Sequence, residues 1–89
     1  MSKRNFITQM QSYGPNDPPV DSNCADITFF NDTLATVYID GFPVAAGGTL
    51  AIESNEDETN ITKYSISFGS GNTGLVYVIR KKYVDKWAG

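Results

Sequence analysis

The most regular alternation of apolar and polar positions lies in residues 62–84. Tyr64, Ile66 and Phe68 alternate with Lys63, Ser65 and Ser67, which is the period of a half-buried strand. A linker with three glycines, residues 69–74, is followed by the five β-formers of residues 75–79, a pattern typical of a strand covered on both faces. The pattern predicts one long β-hairpin on which the other elements pack.

Three further segments show the same period, over residues 25–30, 34–40 and 49–54. Polar or glycine-containing turns separate them, among them Asn31-Asp32-Thr33 and Asp40-Gly41. Helix signals are absent from this part of the sequence, and residues 42–44 read as a short apolar link. The sequence therefore predicts an all-β domain, a small antiparallel β-sandwich or barrel of five to six strands. The expected core is Ile27, Phe29, Val37, Ile39, Leu50, Ile52, Tyr64, Ile66, Phe68, Val76 and Val78.

The pattern divides the chain into an extended N-terminal arm (residues 1–22), a β-body (23–84) and a C-terminal tail (85–89). Three prolines lie within residues 15–19, and they prevent a helix or a central strand there. An arm of this composition is ordered only when something holds it, because each fixed residue costs about 1–2 kcal/mol of conformational entropy. We expect contacts outside the domain, although the arm could instead fold back over its own body.

Residues at both ends of the chain are candidate anchors to neighbouring subunits. In the arm, Phe6, Met10 and Tyr13 fall at helix-like spacing and Ile7 adds a further apolar side chain. In the tail, Trp87 is too close to the end to join the core unless it docks.

The charges are unevenly distributed along a chain whose net charge is −3. Residues 5–62 contain nine acids and no Lys or Arg, while bases concentrate at Arg80, Lys81 and Lys82. Solvated faces of opposite sign would explain this. Alternatively Arg80 and Lys82 of one copy meet the acidic middle of the next copy. A net negative chain disfavours broad binding to nucleic acid.

Catalytic and metal chemistry has few candidates. The chain has no His, and Cys24 is its one cysteine, so imidazole-dependent catalysis, an internal disulfide and a cysteine metal cage are excluded. The acidic cluster Glu53, Glu56, Asp57 and Glu58 lacks the spacing and the glycine of a calcium loop. The G-x-G-x-x-G of residues 69–74 precedes a β-run, so we interpret it as a structural turn and not as a dinucleotide site. We expect no catalytic residue, no metal and no cofactor.

Size and hydropathy favour a partner-dependent protein. Eighty-nine residues form at most one domain, whose limited core favours association. No apolar run approaches the ~20 residues that span a bilayer, and residues 5–13 are too polar for the core of a signal peptide. We expect no membrane partner, reduced thiols and a buried Cys24.

The stretch from Ile27 to Val84, ITFFNDTLATVYIDGFPVAAGGTLAIESNEDETNITKYSISF followed later by LVYVIRKKYV, resembles small β-rich virion proteins of tailed bacteriophages. The resemblance lies in the order of elements: a strand, an Asn-containing turn, V-x-I-D-G, an Ala/Gly turn, an acidic loop, Y-x-I-x-F and a terminal V-x-R-K-x-Y. It implies a capsid-decorating, head-fibre-attachment, connector or tail accessory protein, assembled in the host cytoplasm and located in the virion.

The resemblance and the two ends together predict a non-enzymatic structural protein. Its expected partners are other copies of itself and a larger capsid, connector or tail protein. A sugar- or ligand-binding β-module is the alternative, in which exposed Tyr and Trp rings act together with the acidic loop; the candidate rings are Tyr13, Tyr38, Tyr77, Tyr83 and Trp87.

Overall fold

The computed structural model describes residues 5–54 and 58–84, with the side chain of Val84 excluded. These residues form nine β-strands and no helix, so the predicted all-β class is confirmed. The strands are β1 (Asn5–Tyr13), β2 (Val20–Asp21), β3 (Asp26–Asp32), β4 (Val37–Ile39), β5 (Phe42–Val44), β6 (Thr49–Ile52), β7 (Lys63–Tyr64), β8 (Ile66–Ser67) and β9 (Leu75–Val84).

The strands pair in three antiparallel sheets. The largest has the order β1-β9-β3-β6, the second contains β2 and β7, and the third has the order β5-β4-β8. Nine described strands exceed the five or six predicted. One reason is that the apolar link of residues 42–44 is strand β5, whose Pro43 is tolerated because β5 lies at a sheet edge.

One hydrophobic cluster joins the inner face of the four-stranded sheet to the two smaller sheets. Across it, the rings of Phe29 and Tyr64 meet edge to face with centroids 5.2 Å apart. Eight of the predicted core residues are buried, and Leu50, Ile52 and Ile66 pack partly buried against them. Pattern reading missed Val20 and Val44, because neither lies in a run long enough to show a period. Cys24 is buried as predicted.

The predicted hairpin over residues 62–84 is wrong. β7 pairs with β2 and β8 pairs with β4, whereas β9 pairs with β1 on one side and β3 on the other. The linker of residues 69–74 therefore carries the chain from one sheet to another. The same alternation of apolar residues buries a strand in either arrangement, so the pattern alone could not select the pairing.

The predicted separation of an arm from a β-body is also wrong for residues 5–13. They form β1, which pairs with β9 over nine residues, from Asn5 opposite Val84 to Tyr13 opposite Val76. The cost of ordering this segment is therefore offset by a ladder within its own chain, as in the fold-back alternative. The proline-containing segment that follows is a connection to β2. It begins with a turn in which the Gly14 amide donates to the Asp17 carboxylate at 2.6 Å.

The end of β3 contains a buried polar junction centred on Asn31. Its side-chain amide donates to the carbonyls of Ala35 and Val44, both at 2.8 Å, and its oxygen accepts from the backbone amide and hydroxyl of Thr33. Asn31 and Asp32 of the predicted turn thus belong to β3. Four hydrogen bonds to the buried Asn31 side chain join this end of β3 to the segment before β4 and to β5.

Candidate interaction surface on β1 and β9

Strand β1 lies at the edge of the four-stranded sheet, and within residues 5–54 and 58–84 no strand pairs with its outer side. Its sequence, NFITQMQSY, contains no charged residue, proline or glycine. Natural edge strands are usually protected by short length, a Lys, a Pro or a bulge. β1 has none of the first three, so it offers backbone donors and acceptors to another strand.

The face of the sheet turned away from the core is also apolar along β1 and β9. Val76, Val78 and Arg80 are buried on the inner side, so the intervening residues of β9 point outwards. The ladder places Met10 opposite Ile79 and Phe6 opposite Tyr83 on that side. We define the outer apolar face as Phe6, Met10, Phe30, Leu75, Tyr77 and Ile79.

This outer apolar face is accessible to a partner. Met10 is 71% exposed and Phe6 is 53% exposed, while the rings of Phe30 and Tyr77 stack on each other with centroids 6.5 Å apart. Scattered single apolar side chains are normal on protein surfaces, whereas a large contiguous apolar patch is typical of an interaction site. The position of these exposed apolar side chains on neighbouring strands is therefore the feature that makes the outer apolar face a candidate site.

Lys81 holds the end of the outer apolar face in position. Its ammonium lies 4.7 Å from the centroid of the Phe6 ring and 3.8 Å from a carboxylate oxygen of Asp26. A cation over an aromatic face is attracted to its π-electrons. This contact orients Phe6 while leaving half of the ring exposed.

On the inner side, Arg80 ties β1 to the body. Its Nε donates to the Asp21 carbonyl at 2.9 Å, Nη1 to Oε1 of Gln11 at 2.5 Å, and Nη2 to the Tyr13 hydroxyl at 2.9 Å. Arg80 is only 4% exposed, and its three acceptors are neutral oxygens. The interpretation of Arg80 as a surface contact to an acidic partner is therefore wrong, since its guanidinium is used within the chain.

The other predicted partner-binding residues divide between the two faces of β1. Phe6 and Met10 lie on the outer face, whereas Ile7 and Tyr13 lie on the inner one, Ile7 opposite Lys82. The helix-like grouping of Phe6, Met10 and Tyr13 is therefore wrong. Ile7 is exposed and Lys82 is half-buried. Trp87 lies outside the described residues.

The sequence contained a signal for the position of Arg80 but none for the outer apolar face. Arg80 follows Val76 and Val78 at intervals of two, so the strand period places it on the buried side. The odd-numbered residues of β9 and the even-numbered residues of β1 share the outer side, but this becomes visible only when the register between the two strands is known.

The other candidate sites do not form a reactive group. In the described part of the chain no cluster of three or more Cys, Asp or Glu could hold a metal ion; Glu56 and Asp57 of the acidic cluster lie outside it. Gly69 and Gly71 have φ of 81° and 79°, and β9 follows them, so the predicted structural turn is confirmed. Tyr38 lies on β4 and Tyr77 on β9, in different sheets, so these two rings do not share one platform.

No protein-family model, no curated protein and no solved structure matches this chain. Among the described residues there is no helix of the length and hydropathy needed to cross a membrane.

Proposed function

We propose that this protein is a structural subunit of a larger protein assembly, which it joins through the open edge of β1 and the outer apolar face. Following the resemblance in the sequence, the assembly is a bacteriophage particle, with the chain as a capsid-decorating, head-fibre-attachment, connector or tail accessory protein. Its partners are further copies of itself and a larger particle protein.

The observation that carries this proposal is the coincidence of two unprotected features on one strand. β1 presents an uncharged nine-residue edge and, on its outer side, Phe6 and Met10. A strand added to a sheet edge gains main-chain hydrogen bonds, and its side chains gain apolar contacts on the sheet faces. Removing exposed apolar surface from water contributes roughly 25 cal/mol per Å² before the costs of association.

A subunit role also agrees with the hydrogen bonds of the buried polar side chains, which are all made within the chain. Asn31, Arg80 and Ser22 are all buried and hydrogen-bonded to neighbouring strands or loops. Among the described residues, every buried side-chain nitrogen and oxygen has a hydrogen-bond partner. These groups therefore stabilise the fold, and the exposed apolar residues remain for contact with other proteins.

The test is incorporation into particles. We expect the wild-type chain to be present, by quantitative mass spectrometry, in tailed particles purified from a lysate of the organism that encodes it. Met10→Asp places a charge on the outer apolar face and should lower incorporation at least about tenfold, the effect of about 1.4 kcal/mol. Leu34→Asp is the matched control, since Leu34 is fully exposed and lies in the loop after β3, outside the outer apolar face.

Circular dichroism of each variant first establishes that it is folded. Two results would then contradict the proposal. Equal incorporation of Met10→Asp and Leu34→Asp would contradict a role for the outer apolar face. Absence of the wild-type chain from the purified particles would contradict the particle assignment itself.

A further inference from the structure

We propose that the strand that occupies the open edge of β1 is β1 of a second copy, paired antiparallel about a two-fold axis near Gln9. This inference rests on the proposed function, because it names the first partner that a subunit of this kind meets. It joins two four-stranded sheets into one sheet of eight strands.

The length of the edge sets the kind of partner. Nine residues of β1 extend about 30 Å at a rise of about 3.4 Å per residue. A stable protein interface buries about 800 Å² on each partner. A roughly circular patch of that area is about 30 Å across, which is the length of the β1 edge. A strand of similar length is the partner that would pair along the whole of this edge.

Among the described strands, the remaining sheet edges are too short to be that partner. β6, at the opposite edge of the same sheet, has four residues and β5 has three, including Pro43; the edge strands β2, β7 and β8 have two each. A head-to-tail contact of β1 with β6 would leave more than half of the β1 edge unpaired. β1 of a second copy matches its full length.

The chemistry of β1 permits self-pairing. Like charges that face each other across strands are destabilising, and β1 has no charged side chain. Antiparallel pairing is slightly more stable per residue than parallel pairing, and a two-fold axis makes the same patch serve on both copies. The register that pairs all nine residues places Gln9 opposite itself, where the two carboxamides can both donate and accept.

The pairing also extends the surface proposed to bind the larger particle protein. A two-fold axis perpendicular to the sheet keeps the outer faces of both copies on the same side. Met10 then lies opposite Thr8 of the second copy, and the two outer apolar faces become continuous across the new ladder. The dimer, and not the single chain, is thus the unit that docks on a larger protein.

Sedimentation equilibrium of the full chain over a range of concentrations tests the pairing. We expect a dimer for the wild type and a dimer Kd at least about tenfold higher for Thr8→Lys, because an edge lysine must be desolvated next to its copy. Ala51→Lys is the matched control. Ala51 is exposed and on the same side of the sheet as Thr8, but on β6, so its Kd should equal that of the wild type.

Salt separates this contact from a charge-driven one. Raising ionic strength from about 0.05 M to about 0.5 M screens exposed charges, so an uncharged ladder should keep its Kd within about threefold. A wild type that stays monomeric, equal effects of the two lysines, or a dimer that dissociates in salt would each overturn the proposal.

A crosslinking variant covers the case in which Thr8→Lys does not fold. Gln9→Cys should form an intersubunit disulfide under mild oxidation, since opposed residues have Cα atoms about 4.5–5.5 Å apart, whereas Thr49→Cys on β6 should not. Equal crosslinking of both would refute the two-fold pairing.

Monomeric protein whose incorporation still depends on Met10 would refute the pairing alone. A dimer that is absent from particles would refute the proposed function alone.

Discussion

The hydroxyl of Tyr13, the last residue of β1, accepts a hydrogen bond of 2.9 Å from Nη2 of the buried Arg80 on β9. The same hydroxyl lies 3.3 Å from Oε1 of Gln11, to which it donates. This contact therefore joins the N-terminal strand to a charge inside the body. It adds to the nine-residue ladder with β9 and to the Arg80–Gln11 hydrogen bond, which hold the strand in the sheet although most of its side chains are exposed.

Tyr13→Phe should destabilise the protein by about 1–3 kcal/mol, because it leaves a donor of a buried guanidinium without its acceptor. Urea unfolding followed by circular dichroism measures the change in unfolding free energy. Tyr38→Phe is the control, since Tyr38 is exposed, and it should change stability by less than about 0.5 kcal/mol. Equal values for the two variants would show that Arg80 does not depend on Tyr13.

Asn31→Asp should be strongly destabilising at neutral pH. The substitution places a carboxylate beside the carbonyls of Ala35 and Val44, where the native amide donates two hydrogen bonds. Burial and these oxygens disfavour the charged form, against the opposing effect of the Thr33 amide and hydroxyl donors, so the pKa of the introduced group is raised in the folded state. The penalty is then largest at high pH and is relieved as pH falls and the carboxyl becomes protonated.

Unfolding of Asn31→Asp at several pH values, relative to the wild type at the same pH, checks this sign. A loss of about 2–4 kcal/mol at neutral pH that shrinks on acidification is the expected result. A deficit that is constant with pH would mean that the introduced carboxyl is solvated and that Asn31 is not enclosed.

Gly74→Ala should destabilise through a steric clash with the turn after β3. A Cβ at position 74 would lie 2.8 Å from Cα, Cβ and Cγ2 of Thr33, so one of the two segments must shift, at a cost of about 1–3 kcal/mol. Gly14→Ala is the control, because the nearest atom to its Cβ would be a Leu75 methyl group at 3.6 Å. Thermal unfolding that is the same for both variants would contradict this close approach.

Cys24 should react slowly with alkylating reagents in the folded protein. Burial raises the pKa of its thiol, against the opposing effect of the Arg80 and Lys82 charges, so the nucleophilic thiolate is scarce. A raised folded-state pKa also means that this group lowers stability as pH rises through the ordinary thiol range. Iodoacetamide labelling should be at least about tenfold faster in urea than in buffer. Equal rates would contradict the burial of Cys24.

Local patterns predicted the core better than they predicted the connections. Ile27, Phe29, Val76 and Val78 were identified because strand alternation depends only on neighbours along the chain. The strands that pair with β9 were not identified, because a hairpin with the preceding strand and pairing with β1 and β3 bury the same residues of β9. β1 was missed for a different reason: its Gln and Ser side chains interrupt any apolar period, and the strand is held by backbone pairing and by Arg80.

The sequence predicted part of the candidate surface: it indicated Phe6 and Met10 but not the buried position of Arg80. Phe6 and Met10 were singled out as apolar residues in a polar segment, and both are exposed on one face. The basic neighbours Lys81 and Lys82 favour a surface position for Arg80, whereas the period of the strand places it inside.

Amide hydrogen exchange of β1, measured by NMR at a concentration below the dimer Kd, tests the central claim most directly. In an open antiparallel edge strand, alternate amides donate to β9 and the others face solvent. We predict that protection alternates along residues 6–12 in dilute protein and that the solvent-facing amides become protected as the concentration rises. Rapid exchange at every position, or full protection at every dilution, would contradict an N-terminal strand whose outer edge awaits a partner.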